Sequence, residues 1–373
     1  MSVETEFKEE NFLRATKRSN QARIVAHTIS AQLKDLIPAF KSGVTSVRAF
    51  GEQGWMNLTF LVEVAEPPAH YILRLAARGP NKQHTRSRSI PSYEKERLIL
   101  ECLEDSPFTP KVHADCTGVF ALSIPGSGTV EFAYLIESYL PLTSAKHVAE
   151  SEQRGRILEQ LGFIMRDIHR TPMQGFGLDI DESTQSFVHP TFESFMAHKL
   201  AAIERSPIAS SMKDWLTSRV AAFVETNPSP CLFHRDLLGN WGNFLLDSTG
   251  SVRGIIDWEY AGSGPAFHFE IAALLYVLSR NGHSQERINH DLLAVLRGYG
   301  MSYKTYRAEY DRDVQTIVLL NSVSAILKFQ EVQEKGTSST EPWRERFADR
   351  AHALCSAEYS NDKPRRILHD TEH

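Results

Sequence analysis

The spacing of apolar residues changes along the chain and divides it into two kinds of segment. From about residue 20 to Pro38, apolar residues recur every three or four positions, which predicts an N-terminal helix over about 20–38. After Gly43 they alternate with polar residues in short runs separated by Gly and Pro, which is typical of a β-meander. Strands are predicted at 44–50, 57–64, 70–75, 110–115, 117–123 and 132–138, with one helix at 92–104.

Beyond Glu137 the pattern becomes mostly helical. Helices are predicted within 150–170, at 191–206, at 210–226 and from 266 to about 359, and short strands at 244–247 and 252–257. The sequence therefore predicts an α+β protein. Its smaller N-terminal domain, residues 1–137, has an antiparallel sheet with one crossing helix, and its larger C-terminal domain, residues 138–373, is mostly helical.

The composition of the chain is that of an ordinary folded protein. Of its 373 residues, 42% are hydrophobic and 23% are charged, and the net charge is −5. This mild acidity gives no field that would attract nucleic acid or an anionic membrane. The four cysteines form no C-x-x-C pair, which disfavours a zinc finger and is typical of a reducing cytosol. Because the sequence also shows no signal peptide and no membrane span, we expect a cytoplasmic protein.

Polar residues suited to phosphoryl transfer are concentrated in one segment. His234 and Asp236 follow a short apolar run, Asn240 and Asn243 precede the next run, and Asp257 follows a third. Phosphoryl transfer needs one carboxylate to accept the proton of the attacking hydroxyl. It also needs an amide oxygen and a second carboxylate to hold Mg²⁺ on the nucleotide phosphates. The structural alternative is a polar loop in which the Asp and Asn side chains only cap turns.

The segment FHRDLLGNWGNFLLD, followed by GIIDWEYAGSGPAFHFEIA, resembles the aminoglycoside phosphotransferase and choline kinase superfamily, whose members are relatives of the protein kinases. The resemblance extends from about residue 44 to 280. It implies a protein-kinase-like bilobal fold, with ATP and Mg²⁺ as cofactors. It also implies that Asp236 is the catalytic base and that His234 braces its loop. Asn243 and Asp257 would bind the metal.

Two features depart from the pattern of that superfamily. Its asparagine usually stands five residues after the catalytic aspartate, where this chain has Trp241. We interpret the difference as a two-residue insertion, which makes Asn243 the metal ligand and leaves Asn240 as the alternative. In addition, Arg235 replaces the usual small residue.

Arg74 stands in the predicted strand YILRLAA, at the position where the superfamily usually has Lys. An Arg there can hold phosphates through two N–H groups and stays charged. On the helix that follows, Glu96 lies on the apolar face, and a buried carboxylate requires a partner. We therefore predict an ion pair between Arg74 and Glu96 that sets the nucleotide phosphates. The alternative is a surface pairing of Glu94 or Glu96 with groups near Lys95 and Arg97.

Other groups expected to bind the nucleotide lie in the N-terminal domain. Gly51 and Gly54 stand in a turn between two predicted strands, where free backbone N–H groups could cover phosphate oxygens. The alternative for this turn is a plain hairpin. The resemblance places the hinge between the lobes near Glu137 to Tyr139, whose backbone would bind adenine.

Glu259 and Glu270 are the candidate substrate residues. Together with Trp258 and Tyr260 they favour a cationic or amino-bearing acceptor, through charge and cation–π contacts. The alternative is that these residues only brace the hairpin. Members of the superfamily phosphorylate choline, ethanolamine, aminoglycosides, other antibiotics and sugars. A protein acceptor is disfavoured, because the chain between Asp257 and Glu270 is too short for a peptide-docking activation segment.

The sequence thus predicts an ATP-dependent kinase that transfers the γ-phosphoryl group to a hydroxyl group of a small molecule. A catalytically inactive kinase fold that binds nucleotide is the second hypothesis, motivated by Arg74 and by the irregular spacing from aspartate to asparagine. A metal-dependent hydrolase that uses His234, Asp236 and Asp257 is the third. It leaves Arg74 and Glu96 without a role. We expect no nucleic-acid or membrane partner.

Overall fold

The structure is a computed structural model. The structure describes residues 20, 22–30, 32, 33, 37, 40, 43–50, 57–65, 68–78, 93–124 and 128–334. Residues 22–30 are helical, within the range predicted for the N-terminal helix. The predicted turn at Gly51 and Gly54 lies outside the described residues, as does the part of the last predicted helix beyond residue 334.

Contacts within the chain divide it into two compact units. The first contains Met1–Leu142 and Gly254–Glu259, and the second contains Thr143–Arg253 and Tyr260–His373. A segment that carries the predicted metal ligand Asp257 therefore belongs to the first unit. The predicted domain boundary at residue 137 stays a prediction.

The first unit is built on a five-stranded antiparallel sheet. Its strands are β1 (Val44–Ala49), β2 (Leu58–Val64), β3 (Ala69–Arg78), β4 (Val112–Ile124) and β5 (Gly128–Ser138). They lie in the order β1-β2-β3-β5-β4, which makes β3 the central strand. Residues 72–76 of β3 are all buried. Because Arg74 lies within this buried run, its charge requires partners inside the unit.

A single strand, β4, occupies the region where two strands were predicted. Its pairing with β5 changes register between Val112 and Thr117. Asp115, within this interval, has a φ of 56°, in the left-handed region. Between these pairs β4 advances five residues and β5 two, so β4 has three extra residues. This irregularity breaks the alternation of side chains, so the sequence pattern indicates two short strands instead of one.

One helix of the first unit, α1 (Glu94–Cys102), carries Glu96. Glu94 and Glu96 stand in its first turn, where carboxylates interact favourably with the helix dipole. Ile99 and Leu100 are buried on the same helix, together with Glu96. Glu96 therefore lies in the core, on the face that the sequence spacing predicts.

The second unit is mostly helical. Its longer helices are α2 (Arg154–Ile168), α3 (Phe192–Arg205), α4 (Ser210–Glu225), α5 (Ala266–Arg280), α6 (Gln285–Tyr299) and α7 (Asp311–Glu334). Helix α5 is buried along most of its length, including Glu270. Among the described residues, no helix combines the length and the apolar character needed to cross a membrane.

Helices α2 and α6 approach each other closely enough for their backbones to touch. A Cβ placed on Gly162 of α2 would overlap the carbonyl of Val295, and one placed on Gly298 of α6 would overlap the carbonyl of Glu159. The two glycines therefore permit a separation that no larger residue would allow. This contact fixes α2 and α6 as one rigid pair.

Short strands connect the helices of the second unit. They are β6 (Thr143–Ser144), β7 (Phe176–Asp181), β8 (Ser186–His189), β9 (Cys231–Phe233), β10 (Phe244–Leu246), β11 (Val252–Ile255), whose last two residues belong to the first unit, and β12 (Gly262–Gly264). One sheet has the order β8-β7-β12-β9, and β10 pairs with β6. The sequence pattern missed β7 and β8, which are only six and four residues long and whose pairing changes register between Phe176 and Ile180. The α+β class with a sheet-based N-terminal part and a mostly helical C-terminal part is confirmed.

Candidate active site

Two strands hold the ends of the loop 234–243, which carries the predicted catalytic residues. β9 pairs with β12 and ends at Phe233, directly before His234. β10 pairs with β6 and begins at Phe244, directly after Asn243. Backbone hydrogen bonds therefore fix both ends of this loop.

Asp236 lies beside two amide side chains of this loop. Nδ2 of Asn243 donates to Oδ2 of Asp236 over 3.0 Å and to its backbone carbonyl over 3.1 Å. Nδ2 of Asn240 donates to the same carboxylate oxygen over 3.3 Å and to Oδ1 of Asn243 over 3.0 Å. The structure thus brings both alternative asparagines to Asp236. The two N–H donors orient the carboxylate, as a general base requires.

Glu270 braces the same loop from α5. Its Oε2 accepts hydrogen bonds from the backbone N–H groups of His234, over 2.8 Å, and Arg235, over 2.9 Å. Burial alone would raise the pKa of Glu270, but hydrogen bonds and charge from His169, His234 and Arg235 lower it. Glu270 is fully buried and bonded to the loop. In the structure Glu270 therefore braces the loop, and its contact with a substrate stays a prediction.

Two of the motif residues have left-handed backbone conformations. The φ angle is 70° at Arg235 and 69° at Asp257. This region is unfavourable for residues other than glycine and persists only where the surrounding structure enforces it. Backbone strain of this kind is concentrated at functional sites, so it supports a functional role for both segments.

In the first unit, Arg74 lies between two carboxylates. One guanidinium nitrogen forms a buried ion pair with Glu96, the pair that the sequence predicts. Nη2 of Arg74 binds Oδ1 of Asp257 over 2.9 Å. Glu94 instead pairs with Arg97 on its own helix. The surface alternative therefore holds for Glu94 and not for Glu96.

The charges buried around Arg74 shift the pKa values of the cluster. Burial alone would lower the pKa of Arg74, but Glu96, Tyr93 and Asp257 raise it well above its ordinary value. Burial raises the pKa of Glu137 to about 7, with Arg74 opposing the shift and Asp257 adding to it. The side chain of Glu137 lies on the Arg74 face of the sheet, since Glu137 is paired with Ile72, two residues from Arg74. The cluster therefore includes an acid that titrates near neutral pH.

Tyr93 and Glu259 complete this cluster. The guanidinium carbon of Arg74 lies 5.5 Å from the centroid of the Tyr93 ring. Burial raises the pKa of Tyr93, and the charges of Glu96 and Glu259 raise it further, against the effect of Arg74. The Tyr93 hydroxyl is buried and makes no hydrogen bond with the described residues. Glu259 therefore lies near the Arg74 cluster, and its contact with an acceptor stays a prediction.

The backbone of the predicted hinge is partly engaged within the sheet. The N–H of Ser138 donates to the carbonyl of Lys111 over 2.8 Å, and the N–H of Tyr139 donates to the carbonyl of His70 over 3.2 Å. An adenine base would have to replace these bonds to be recognised by the same two groups. Binding of the base at Glu137 to Tyr139 stays a prediction.

The sequence of the chain matches a known protein family. The model of the phosphotransferase enzyme family matches residues 47–311. The chain belongs to this family. None of the curated proteins matches the chain in sequence. The prediction of a phosphotransferase is confirmed.

Several solved structures are similar to this phosphotransferase at low sequence identity. It is similar to an amicoumacin kinase in complex with AMP-PNP, Ca²⁺ and Ami, with 14% identity, a TM-score of 0.53, and coverage of 89% of this chain and 93% of that one. It is similar to an ethanolamine kinase of Plasmodium vivax, with 17% identity, a TM-score of 0.49, and coverage of 88% and 86%. It is also similar to an aminoglycoside phosphotransferase of Streptomyces rimosus, with 16% identity, a TM-score of 0.38, and coverage of 78% and 98%. The first likeness supports the kinase-like fold.

The residues of the phosphotransferase that we expect to hold a metal offer oxygen donors. Among the described residues, no group of three or more His, Cys, Asp or Glu side chains is arranged to hold a metal ion. Mg²⁺ is usually bound through one or two protein oxygens and takes its other ligands from phosphates and water. Asn243 and Asp257 each carry an oxygen donor of this kind, and their binding of a metal stays a prediction.

Three residues near the catalytic loop of the phosphotransferase were not predicted from the sequence. Arg154 on α2 and Asp291 on α6 form a buried ion pair, and the Arg154 guanidinium lies over the ring of Trp241. Charged residues on amphipathic helices usually lie in solvent, so Arg154 and Asp291 carry no distinguishing signal. Trp241 is marked in the sequence only by its place in the insertion.

Proposed function

We propose that this phosphotransferase transfers the γ-phosphoryl group of ATP to a hydroxyl group of a small molecule, with Mg²⁺ as the metal. The observation that carries the proposal is the Asp236 carboxylate, which two amide side chains orient on a loop fixed at both ends. Asp236 would accept the proton of the attacking hydroxyl, the role of a carboxylate in phosphoryl transfer. His234 would hold the loop, since its backbone N–H is bonded to Glu270.

The metal would be held by Asn243 and Asp257. When bound, Mg²⁺ neutralises charge on the nucleotide phosphates and aligns the transferred group. Support comes from the chemistry of the two side chains, since both are the hard oxygen donors that Mg²⁺ prefers. The strained backbone of Asp257 is a second support, because it fixes the direction of that carboxylate.

Arg74 would bind the nucleotide phosphates while Glu96 holds it in place. The buried ion pair with Glu96 restricts the guanidinium, and the remaining N–H donors match phosphate oxygens. The glycines Gly51 and Gly54 would cover the same phosphates with backbone N–H groups. A cation whose position is already fixed by ion pairs, as that of Arg74 is by Glu96 and Asp257, binds an anion with little further loss of side-chain freedom.

The acceptor is proposed to be a small molecule that bears an amino group. Glu259 is half-buried and close enough to Tyr93 and Glu96 to raise their pKa values further, after burial. This excess of negative charge favours a cationic acceptor. Amicoumacin is the acceptor class suggested by one similar structure, a kinase solved with Ami, and ethanolamine is suggested by another.

The test is Mg²⁺-dependent release of ADP from ATP, measured with a panel of amino alcohols, aminoglycosides, other antibiotics and sugars. One panel member should stimulate release in the wild-type protein, and Asp236→Asn should lower that rate at least about a hundredfold. Asp179→Asn, at an exposed residue of β7, is the matched control and should keep full activity. Equal rates in the wild type and Asp236→Asn would overturn the assignment of Asp236.

A nucleotide-binding protein without turnover is the second candidate. It is favoured by the ion pair of Arg74 with Asp257, because that pair occupies a metal-binding carboxylate with a cation of the protein itself. This candidate predicts ATP binding by calorimetry and no ADP release with any panel member. The hydrolase hypothesis predicts release of phosphate from an added phosphoester without a nucleotide.

A further inference from the structure

Trp241 belongs to the insertion that lengthens the catalytic loop, and its side chain is anchored. It is 9% exposed. Its ring lies 5.1 Å from that of Phe244, centroid to centroid. The guanidinium carbon of Arg154 lies 4.6 Å from the centroid of the Trp241 ring, within the range of a cation–π interaction. Trp241 is thus held between the start of β10 and a charged group of α2.

Arg154 itself cannot turn away from Trp241. Its Nε donates to both carboxylate oxygens of Asp291 over 3.0 Å, and its Nη2 donates to Oδ2 of Asp291 over 2.6 Å. Nη1 donates to the carbonyl of Ala149 over 2.6 Å. Asp291 is fully buried, and Arg154 is 5% exposed. A planar guanidinium with this many short bonds to buried acceptors has one orientation.

The backbone around Trp241 transmits this position to the two asparagines. The N–H of Gly242 donates to Oδ1 of Asn240, and the N–H of Asn243 donates to the carbonyl of Asn240, both over 3.0 Å. Residues 240–243 therefore form a closed turn with Trp241 inside it. Both amides that orient the Asp236 carboxylate lie in this turn. A shift of the Trp241 ring must therefore move Asn240 and Asn243.

We propose that Arg154 and Asp291 are positioning residues for phosphoryl transfer, which act through Trp241 on Asn240, Asn243 and Asp236. The proposal rests on the proposed function, since it concerns the same loop. The Arg154 guanidinium, which lies over the Trp241 ring, holds the loop on this side. Misplacement of a metal ligand or base by about 1 Å can lower a rate a hundredfold.

The first experiment compares Trp241→Phe with Trp241→Leu. Phe keeps an aromatic face for Arg154, whereas Leu keeps apolar bulk without one. We expect Trp241→Phe to retain kcat within about threefold, and Trp241→Leu to lower kcat at least about tenfold and to raise the Mg²⁺ concentration for half-maximal rate. KM for the acceptor should change little in either variant. Equal kcat and equal Mg²⁺ dependence in the Phe and Leu variants would overturn the proposal.

The second experiment changes the partners of the guanidinium. Asp291→Asn removes the charge that holds Arg154, and Arg154→Lys keeps a cation without the planar fork. Both should lower kcat and raise the Mg²⁺ requirement as Trp241→Leu does. Arg297→Met is the matched control, because it removes an exposed ion pair between the same two helices, Arg297 to Glu159. The proposal is overturned if Arg297→Met matches these variants in kcat and Mg²⁺ dependence.

The outcomes separate this inference from the proposed function. If wild-type protein transfers no phosphoryl group to any acceptor, the proposed function fails first. If the wild type is active and the Trp241 and Asp291 variants keep its kcat and its Mg²⁺ dependence, only the positioning role fails. A variant that melts at a much lower temperature is assayed well below its Tm. The Mg²⁺ concentration for half-maximal rate then distinguishes the two effects. Partial unfolding lowers the apparent kcat, because less enzyme is folded, but it does not change that concentration.

Discussion

Asn243 donates one side-chain N–H hydrogen bond to the carboxylate of Asp236, over 3.0 Å, and another to the backbone carbonyl of the same residue, over 3.1 Å. These two bonds fix both the carboxylate and the backbone from which it extends. Asn240 reaches the same carboxylate oxygen over the longer distance of 3.3 Å. The two asparagines therefore contribute unequally to the position of Asp236, and their variants should differ.

Asn243→Ala should lower kcat about a hundredfold, and Asn240→Ala about tenfold. Asn243 bonds Asp236 twice and, in our proposal, also binds the metal, whereas Asn240 acts mainly by holding Asn243 and Gly242. The measurement is kcat as a function of Mg²⁺ concentration for both variants. A larger loss in Asn240→Ala would mean that Asn240 is the metal ligand and that the insertion is placed incorrectly in the sequence.

The segment that carries the candidate catalytic residues could be predicted from the sequence, because its polar residues stand between short apolar runs. The pair of Arg74 and Glu96 could also be predicted, since a charged residue in a buried strand and one on the apolar face of a helix each need a partner. The bracing of the loop by Glu270 could not. Its hydrogen-bond partners are backbone N–H donors, which every residue but proline has. No residue type therefore marks the contact.

Two contacts between charged residues that are far apart in the chain could not be predicted from the sequence either. Arg154 and Asp291 are 137 positions apart, and Arg74 and Asp257 are 183 apart. Oppositely charged residues stand closer to each of these residues in the sequence. Spacing along the chain therefore does not identify the partner. The short strands β7 and β8 were missed for a different reason. They have only six and four residues, and apolar runs this short between longer helical segments give a weak strand signal.

Arg74→Met should destabilise the protein by about 3–5 kcal/mol, because it leaves the buried Glu96 carboxylate without its partner. Glu96→Gln should cost less, since Arg74 keeps its bond to Asp257 and an amide can accept from it. The measurement is urea unfolding followed by far-UV circular dichroism. Arg97→Met, which removes only exposed pairs on α1, is the control and should cost less than about 1 kcal/mol.

Glu137→Gln should increase stability at alkaline pH and leave it nearly unchanged at acidic pH. Burial raises the pKa of Glu137 to about 7, so the folded protein holds its proton more tightly than the unfolded chain does. The free energy of unfolding of the wild-type protein therefore falls as pH rises from about 4.5 to 7. The loss reaches about 3 kcal/mol when Glu137 is fully ionised. We expect the advantage of Glu137→Gln to grow over that interval and to level off above about pH 8. The measurement is the free energy of unfolding at intervals of pH.

The control for this pH dependence is Glu104→Gln, at an exposed position of the same unit. It should give a stability difference that does not vary with pH over the same interval. If the Glu137→Gln difference were also constant with pH, Glu137 would be ionised in the folded protein throughout, and its burial against Asp257 would be fully compensated by Arg74.

Gly298→Ala should destabilise the second unit by about 3 kcal/mol. Its new Cβ would overlap the backbone carbonyl of Glu159, and a helix backbone cannot move aside as the end of a side chain can. Gly155→Ala, on α2 of the same helix pair, is the matched control. Its Cβ would lie 3.3 Å from Cε1 of His290, a side chain that can turn. Ala is more favourable than Gly in a helix by about 1 kcal/mol. This gain should offset the cost of the contact with His290.

The loss in Gly298→Ala should also reach the catalytic loop, because Arg154 and Asp291 lie on the two helices that the substitution pushes apart. We expect a lower Tm and, well below that Tm, a higher Mg²⁺ requirement for phosphoryl transfer. Gly155→Ala should change neither. If Gly298→Ala lowered Tm without any effect on the Mg²⁺ requirement, the separation of α2 and α6 would matter for stability alone. In that case the contact between the Arg154 guanidinium and the Trp241 ring would persist when α2 and α6 move apart.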